Sequence, residues 1–214
     1  MGLVLSKTLP SKAVVSVWHI TETEQQLISL SSVPTDEMEE ISLIRSEKLR
    51  KQKLAVRALL NEVFEEKVYL SHHENGAPYL ENCLTNISIT HTDDYVAIIT
   101  HEEEDLGIDI ESIDRDFSAV EKKALSEDEI DDLEDDDKEE KNTQLAIYWC
   151  AKEAIYKRMD INRVDFAEQI EVERFTPRGE GVLEATFVHK DGHEDEFELE
   201  YMIIDRHALV WVVG

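Results

Sequence analysis

Cysteine is scarce in this chain of 214 residues: only Cys83 and Cys150 occur, far apart and without metal-ligand spacing. They read as buried thiols in a reducing cytosol rather than as part of a metal motif. No apolar run approaches the roughly 18–20 residues needed to span a bilayer. The start, MGLVLSKTLP, lacks the basic residues and long apolar stretch of a secretory signal. It fits the short, common M-G-x-x-x-S acylation pattern, but residues 2–5 read better as a first strand. No Pro/Gly/Ser-rich linker interrupts the chain. Basic residues are also few, 22 Lys+Arg against 49 Asp+Glu, for a formal charge of −27. Nucleic acid and anionic membrane surfaces repel such a chain, so neither is expected as a main partner. What is present is ordinary for a globular protein: 42% hydrophobic residues, enough for one compact domain or two small lobes.

The few cations are not scattered. RSEKLRKQKLAVR carries Arg45, Lys48, Arg50, Lys51, Lys53 and Arg57 within a short stretch. An isolated basic patch on an acidic protein suggests a small anionic ligand, and competes with a solvated helix face paired to nearby acids.

Periodicity suggests the elements. AVVSVWHI (13–20) alternates as a strand, and residues 36–65 read as a helix started by Pro34-Thr35-Asp36. ENGAPYL (74–80) is a turn, and NISITHT with YVAIIT forms a hairpin around Asp93-Asp94. LGIDIES (106–112) is the next strand. Ser126 followed by Glu129 is a capping-box pattern, and the like charge after it predicts a mobile, solvent-facing stretch. A calcium loop there lacks its turn glycine. TQLAIYWCAKEAIYKRM (143–159) is the strongest helix, and four strands follow it. The order describes two similar α+β halves meeting near residue 100: an N-terminal lobe, 1–100, and a C-terminal lobe, 101–214, expected to pack tightly together.

Period two sets Asp109 and Glu111 on one face of LGIDIES, where two close carboxylates repel unless a cation or proton lies between them. On the helix, Glu153 and Lys157 are four apart, with Trp149 one turn earlier on the same face. Each feature alone fits a wet strand face or an exposed ion pair. Together they offer three carboxylates and a lysine, a donor set that suits Mg²⁺ sharing its remaining positions with phosphates and water.

GIDIE at 107–111 and WCAKEAIYK at 149–157 resemble the paired signature of the 4′-phosphopantetheinyl transferases, G-x-D-x-E and then W-x-x-K-E-[AS]-x-x-K. The matching positions are Gly107, Asp109, Glu111, Trp149, Lys152, Glu153 and Lys157. NGAPYL resembles the family's G-K-P-x-[LI] turn, ISITHT its S-[IL]-S-H-S segment, and LAVRALL the preceding helix. The resemblance spans roughly residues 40–160. Length and the two-lobed pattern resemble the longer, surfactin-synthetase-activating subfamily, a single-chain pseudodimer.

The resemblance implies an α+β, pseudo-twofold fold of two similar lobes, each with a small antiparallel sheet and a long helix, with the ligand site at the lobe interface. It implies a cytoplasmic, monomeric enzyme of the holo-[acyl-carrier-protein] synthase type. This would move phosphopantetheine from coenzyme A to a serine of an apo acyl or peptidyl carrier protein, releasing 3′,5′-ADP. The pathway would be fatty-acid, polyketide or nonribosomal peptide synthesis. Asp109, Glu111 and Glu153 would hold Mg²⁺ or Mn²⁺, and Glu153 would accept the serine proton. Lys157 would reach the diphosphate, with Asp109, Glu153 and Lys157 as the catalytic set. His91, Thr90, Lys152, Arg57 and Arg50 would contact the coenzyme. A non-catalytic relative that binds coenzyme A or a carrier protein is the alternative; a different Mg²⁺-dependent phosphohydrolase lacks any nucleophile motif or Walker-type loop.

Three departures from the pattern stand out. Ala77 replaces the turn lysine, which predicts weaker coenzyme binding or compensation by Lys51 or Lys53. Thr90 replaces a serine, and the segment 127–140 is unusually acidic.

Overall fold

Alternation in the first hundred residues produces short antiparallel strands, and the computed structural model shows how they pair. It describes residues 2–134, 136–161 and 163–214; Met1 of the acylation pattern and Asp135 of the acidic segment lie outside these. The chain divides into two compact units, Met1–Glu103 and Glu104–Gly214.

The first unit begins with β1 (Leu3–Thr8) and β2 (Val14–His19), then α1 (Glu24–Ser31), α2 (Thr35–Leu43) and α3 (Glu47–Val63). β3 (Leu70–His72) and β4 (Pro78–Leu80) form a hairpin, followed by β5 (Asn86–His91) and β6 (Tyr95–His101). The main sheet runs β1-β2-β6-β5, all neighbours antiparallel. Its apolar face and the inner stripe of α3 share a core that includes Trp18, Leu54, Leu59, Val96 and Ile98. Gly76, at φ +90°, makes the β3–β4 turn, a conformation L side chains rarely adopt.

Two features depart from the helix expected over 36–65. It is broken at residues 44–46, because the Ser46 hydroxyl accepts from Leu49 N (3.3 Å) and starts a new helix. α1 precedes it, unmarked by apolar spacing but closed by a reciprocal capping box: Thr23 Oγ1 accepts from Gln26 N, and Gln26 Oε1 from Thr23 N.

The second unit runs β7 (Leu106–Ser112), α4 (Ser118–Lys123), α5 (Glu127–Asp131), α6 (Lys138–Met159), α7 (Phe166–Gln169), β8 (Ile170–Val172), β9 (Glu180–Val188), β10 (Glu194–Ile204) and β11 (His207–Val213). Its five-stranded antiparallel sheet is ordered β7-β11-β10-β9-β8. Ile147, Ala151, Ile155, Phe187, Leu199 and Val210 are among its core residues. Mixed α+β architecture with antiparallel sheets is therefore observed in both units.

The acidic segment begins and ends in helix, in α5 and in the first turn of α6. Ser126 and Glu129 complete the expected capping box of α5. Asp137 caps α6 by accepting from the backbone N–H of Glu139 and Glu140. Acids here satisfy free donors at helix starts, where the dipole favours negative charge.

Candidate active site

The strand β7 and the helix α6 touch backbone to backbone, and a glycine makes that possible. A Cβ built on Gly107 would lie 1.9 Å from the Ala154 carbonyl oxygen. No rotamer change relieves a clash with main chain, so only glycine lets the strand come this near. Asp109 and Glu111 follow on the same strand face. Asp109, only 6% exposed, is reached from α6 by Lys157, whose Nζ donates to its Oδ1 at 2.7 Å and to the Ile108 carbonyl at 2.9 Å. The lysine is thus spent across the strand–helix contact, not on Glu153 within its own helix.

Glu153 stands half-buried beside this pair, and its carboxyl is pushed up to about 7. Burial is the largest cause, followed by the Asp109 charge; Lys157 and Arg115 oppose the rise and Glu111 adds to it. The Glu111 carboxyl is raised in the same sense, by burial first; Arg115, with which it forms an ion pair, pulls the other way. The Trp149 indole also hydrogen-bonds Glu111. Arg115 lies 5.8 Å from the Trp149 ring centroid and 5.5 Å from that of Phe117. Behind the site, full burial holds the Cys150 thiol well above its ordinary value, and Asp109 and Glu111 push the same way.

Lys152 belongs elsewhere. It is fully buried, and its Nζ donates to the Phe166 carbonyl (2.8 Å), the Ile170 carbonyl (2.6 Å) and Glu129 Oε2 (2.7 Å). An ammonium has three donors, and all are used inside the core. A contact from Lys152 to a coenzyme has no donor left to make it. Glu129, 2% exposed, also accepts from Val172 N and Ser126 N. Burial pushes the lysine's pKa down and Glu129 holds it up.

In the first unit Thr90 and His91 end β5, Thr90 buried and His91 exposed. Three of the six cations of the basic stretch are paired to acids. The Arg50 Nε and Nη2 bond Glu24 and its Nη1 the Ile44 carbonyl; Lys48 pairs with Asp93. Arg57 Nε donates to Glu37 (2.6 Å) and Nη2 to the Leu70 carbonyl (3.2 Å). Ala77, in the β3–β4 turn, offers only backbone, with its N–H donating to Asn75 Oδ1.

Sequence reasoning missed Arg115 and Glu129. Arg115 had a signal, four residues past Glu111 and two before Phe117. Glu129 was visible as a cap, but nothing in the sequence connects it to Lys152.

Among the described residues, no three His, Cys, Asp or Glu side chains converge as a metal-holding group: Asp109 engages Lys157 and Glu111 engages Arg115. The donor chemistry fits a hard divalent cation all the same. Three carboxylates lie within electrostatic reach, and two of them are raised in part by the others' charge. A cation would relieve that repulsion.

Residues 105–209, from the residue before β7 into β11, match the family model of the 4′-phosphopantetheinyl transferase superfamily. No curated protein matches the chain.

Proposed function

We propose that the protein transfers the 4′-phosphopantetheine group of coenzyme A to a serine hydroxyl of an apo carrier protein, releasing 3′,5′-ADP. The observation that carries this reading is Glu153, a half-buried carboxyl pushed to about 7 beside Asp109, Glu111 and Lys157, inside the segment that matches a transferase superfamily. A general base works best when its pKa lies near the operating pH. In the proposed reaction the serine Oγ attacks the phosphorus that carries the pantetheine arm. Glu153 takes the hydroxyl proton, and the bond from that phosphorus to the bridging oxygen breaks. The electron pair stays with that oxygen, on the departing nucleotide phosphate. Lys157, a compact cation steered by Asp109, meets charge on the diphosphate. Asp109, Glu111 and Glu153 would hold Mg²⁺, which when bound neutralises diphosphate charge. His91 and Thr90 would bind the coenzyme's nucleotide phosphate, His91 more strongly when protonated.

Incubation with coenzyme A, Mg²⁺ and an apo carrier protein tests the reading. A carrier mass gain of one phosphopantetheine group, lost in Glu153→Gln and Asp109→Ala, is expected. Coenzyme binding with no mass gain on any carrier would instead identify a non-catalytic binding protein. Full activity in both variants would remove the proposed site.

A further inference from the structure

Two cations of the chain engage the carboxylates of the candidate site, and they are secured in different ways. Lys157 is anchored twice: its Nζ donates to Asp109 Oδ1 and also to the Ile108 carbonyl in the strand backbone. That second bond does not depend on what Asp109 binds. Arg115 has no such anchor. Its Nη1 donates to Glu111, and among the described residues its side chain makes no other hydrogen bond. The side chain is 41% exposed, so it can leave for water without crossing the core. Phe117 and Trp149 border the guanidinium, close enough for a weak cation–π attraction that does not compete with an ion pair.

The main chain of Arg115 is set independently of Glu111. Arg115 N donates to the Ser112 carbonyl and Asp114 N to the Ser112 hydroxyl, which closes the turn after β7. Side-chain torsions alone bring the guanidinium back onto Glu111, and the same torsions release it.

A guanidinium and a divalent ion on one carboxylate oppose each other. Both are cations, and their repulsion is stronger beside a half-buried group than in open water. Mg²⁺ also demands closely held, near-octahedral oxygens, and an oxygen that already accepts from Nη1 has fewer lone pairs to give.

We infer that Arg115 sets the cation affinity of the site: it competes with the divalent ion for Glu111, and cation binding drives its guanidinium out. Lys157, anchored on Ile108, stays. The competition also selects by charge. A monovalent ion brings Glu111 no more charge than Arg115 already supplies, whereas a divalent ion does. This role rests on the proposed cation site of Asp109, Glu111 and Glu153.

The test is Mn²⁺ binding to the full chain, without coenzyme or carrier, read from the free-ion EPR signal at pH 8. In about 0.1 M KCl, charges more than ~10 Å apart are largely screened. Arg115→Gln should bind Mn²⁺ about threefold to fivefold more tightly than the parent, the gain expected when a partly exposed ion pair no longer has to be broken. Arg206→Gln removes the same charge from an arginine paired to Asp114 and Glu139 instead, and should change affinity less than twofold. Glu111→Gln should weaken binding at least tenfold. Adding Arg115→Gln to it should then gain less than twofold, because the contested carboxylate is gone. Saturating Mg²⁺ should speed hydrogen exchange at the Arg115 guanidinium of the parent, read by NMR. Equal affinity in the parent and Arg115→Gln, an equal gain from Arg206→Gln, or a full gain that survives Glu111→Gln would overturn the competition and leave the cation site standing. Mn²⁺ binding that ignores Glu111→Gln, or none in any of these proteins, would remove the site and the competition together.

Discussion

Glu153 is strongly perturbed from its free chemistry, and its perturbation has a consequence for stability. Its folded-state pKa of about 7 lies above the ordinary 4.5. The folded protein therefore binds this proton more tightly than the unfolded chain, and stability is lost as pH rises from about 4.5 through about 7. In metal-free buffer, Glu153→Gln should have a higher Tm than the parent at pH 8 and show a smaller advantage at pH 5. Adding Mg²⁺ at pH 8 should raise the parent's Tm and leave the variant's nearly unchanged, because a bound cation stabilises the charged carboxylate. A Tm difference that ignores both pH and Mg²⁺ would mean that Glu153 is not held among like charges. The identity of this residue was legible from W-x-x-K-E; its raised pKa was not, since burial and the Asp109 charge arise only on folding.

Elements meet through two contacts of different kinds. β7 reaches α6 because Gly107 has no side chain, and Gly107→Ala would drive a methyl into the Ala154 carbonyl. Overpacking of this sort costs about 1–3 kcal/mol. Urea unfolding should show a loss of that size, and transferase turnover should fall further than stability does, because Asp109 and Lys157 separate. The second contact is the Lys152–Glu129 pair, which ties α5 and β8 to α6 through the core. Lys152→Met alone strands a buried carboxylate, and breaking such a pair costs roughly 3–5 kcal/mol. Lys152→Met with Glu129→Leu should recover most of that loss in the same unfolding assay. If the double variant is no better than the single one, the pair is not acting as a buried ion pair.

At the scale of the whole molecule, the charge of −27 sets how partners meet. Lys48, Arg50 and Arg57, three of the six cations of the basic stretch, are paired with Asp93, Glu24 and Glu37, which reduces the positive surface that could offset it. An acidic carrier protein would be repelled at long range. Its association rate should rise as salt is added over the low range, where screening lengths shorten. Stopped-flow rates that fall steeply with salt would contradict this. No helix among the described residues is long and apolar enough to cross a membrane.

The strand period of 106–112, the capping box at Ser126 and the helix over 143–159 could be read directly, because each depends on neighbours a few residues away. So could the residue types of the candidate site. The helix break at Ser46 was also local, but its weak cap was masked by the apolar stripe that continues across it. Only tertiary structure decided that Lys152 points into the core while Lys157 crosses to Asp109. These two lysines are of one type and share one helix. They differ in what faces them: Glu129 and two carbonyls in one case, a strand brought close by a glycine in the other. Burial, partner and pKa depend on residues distant in the chain, and periodicity carries no information about them.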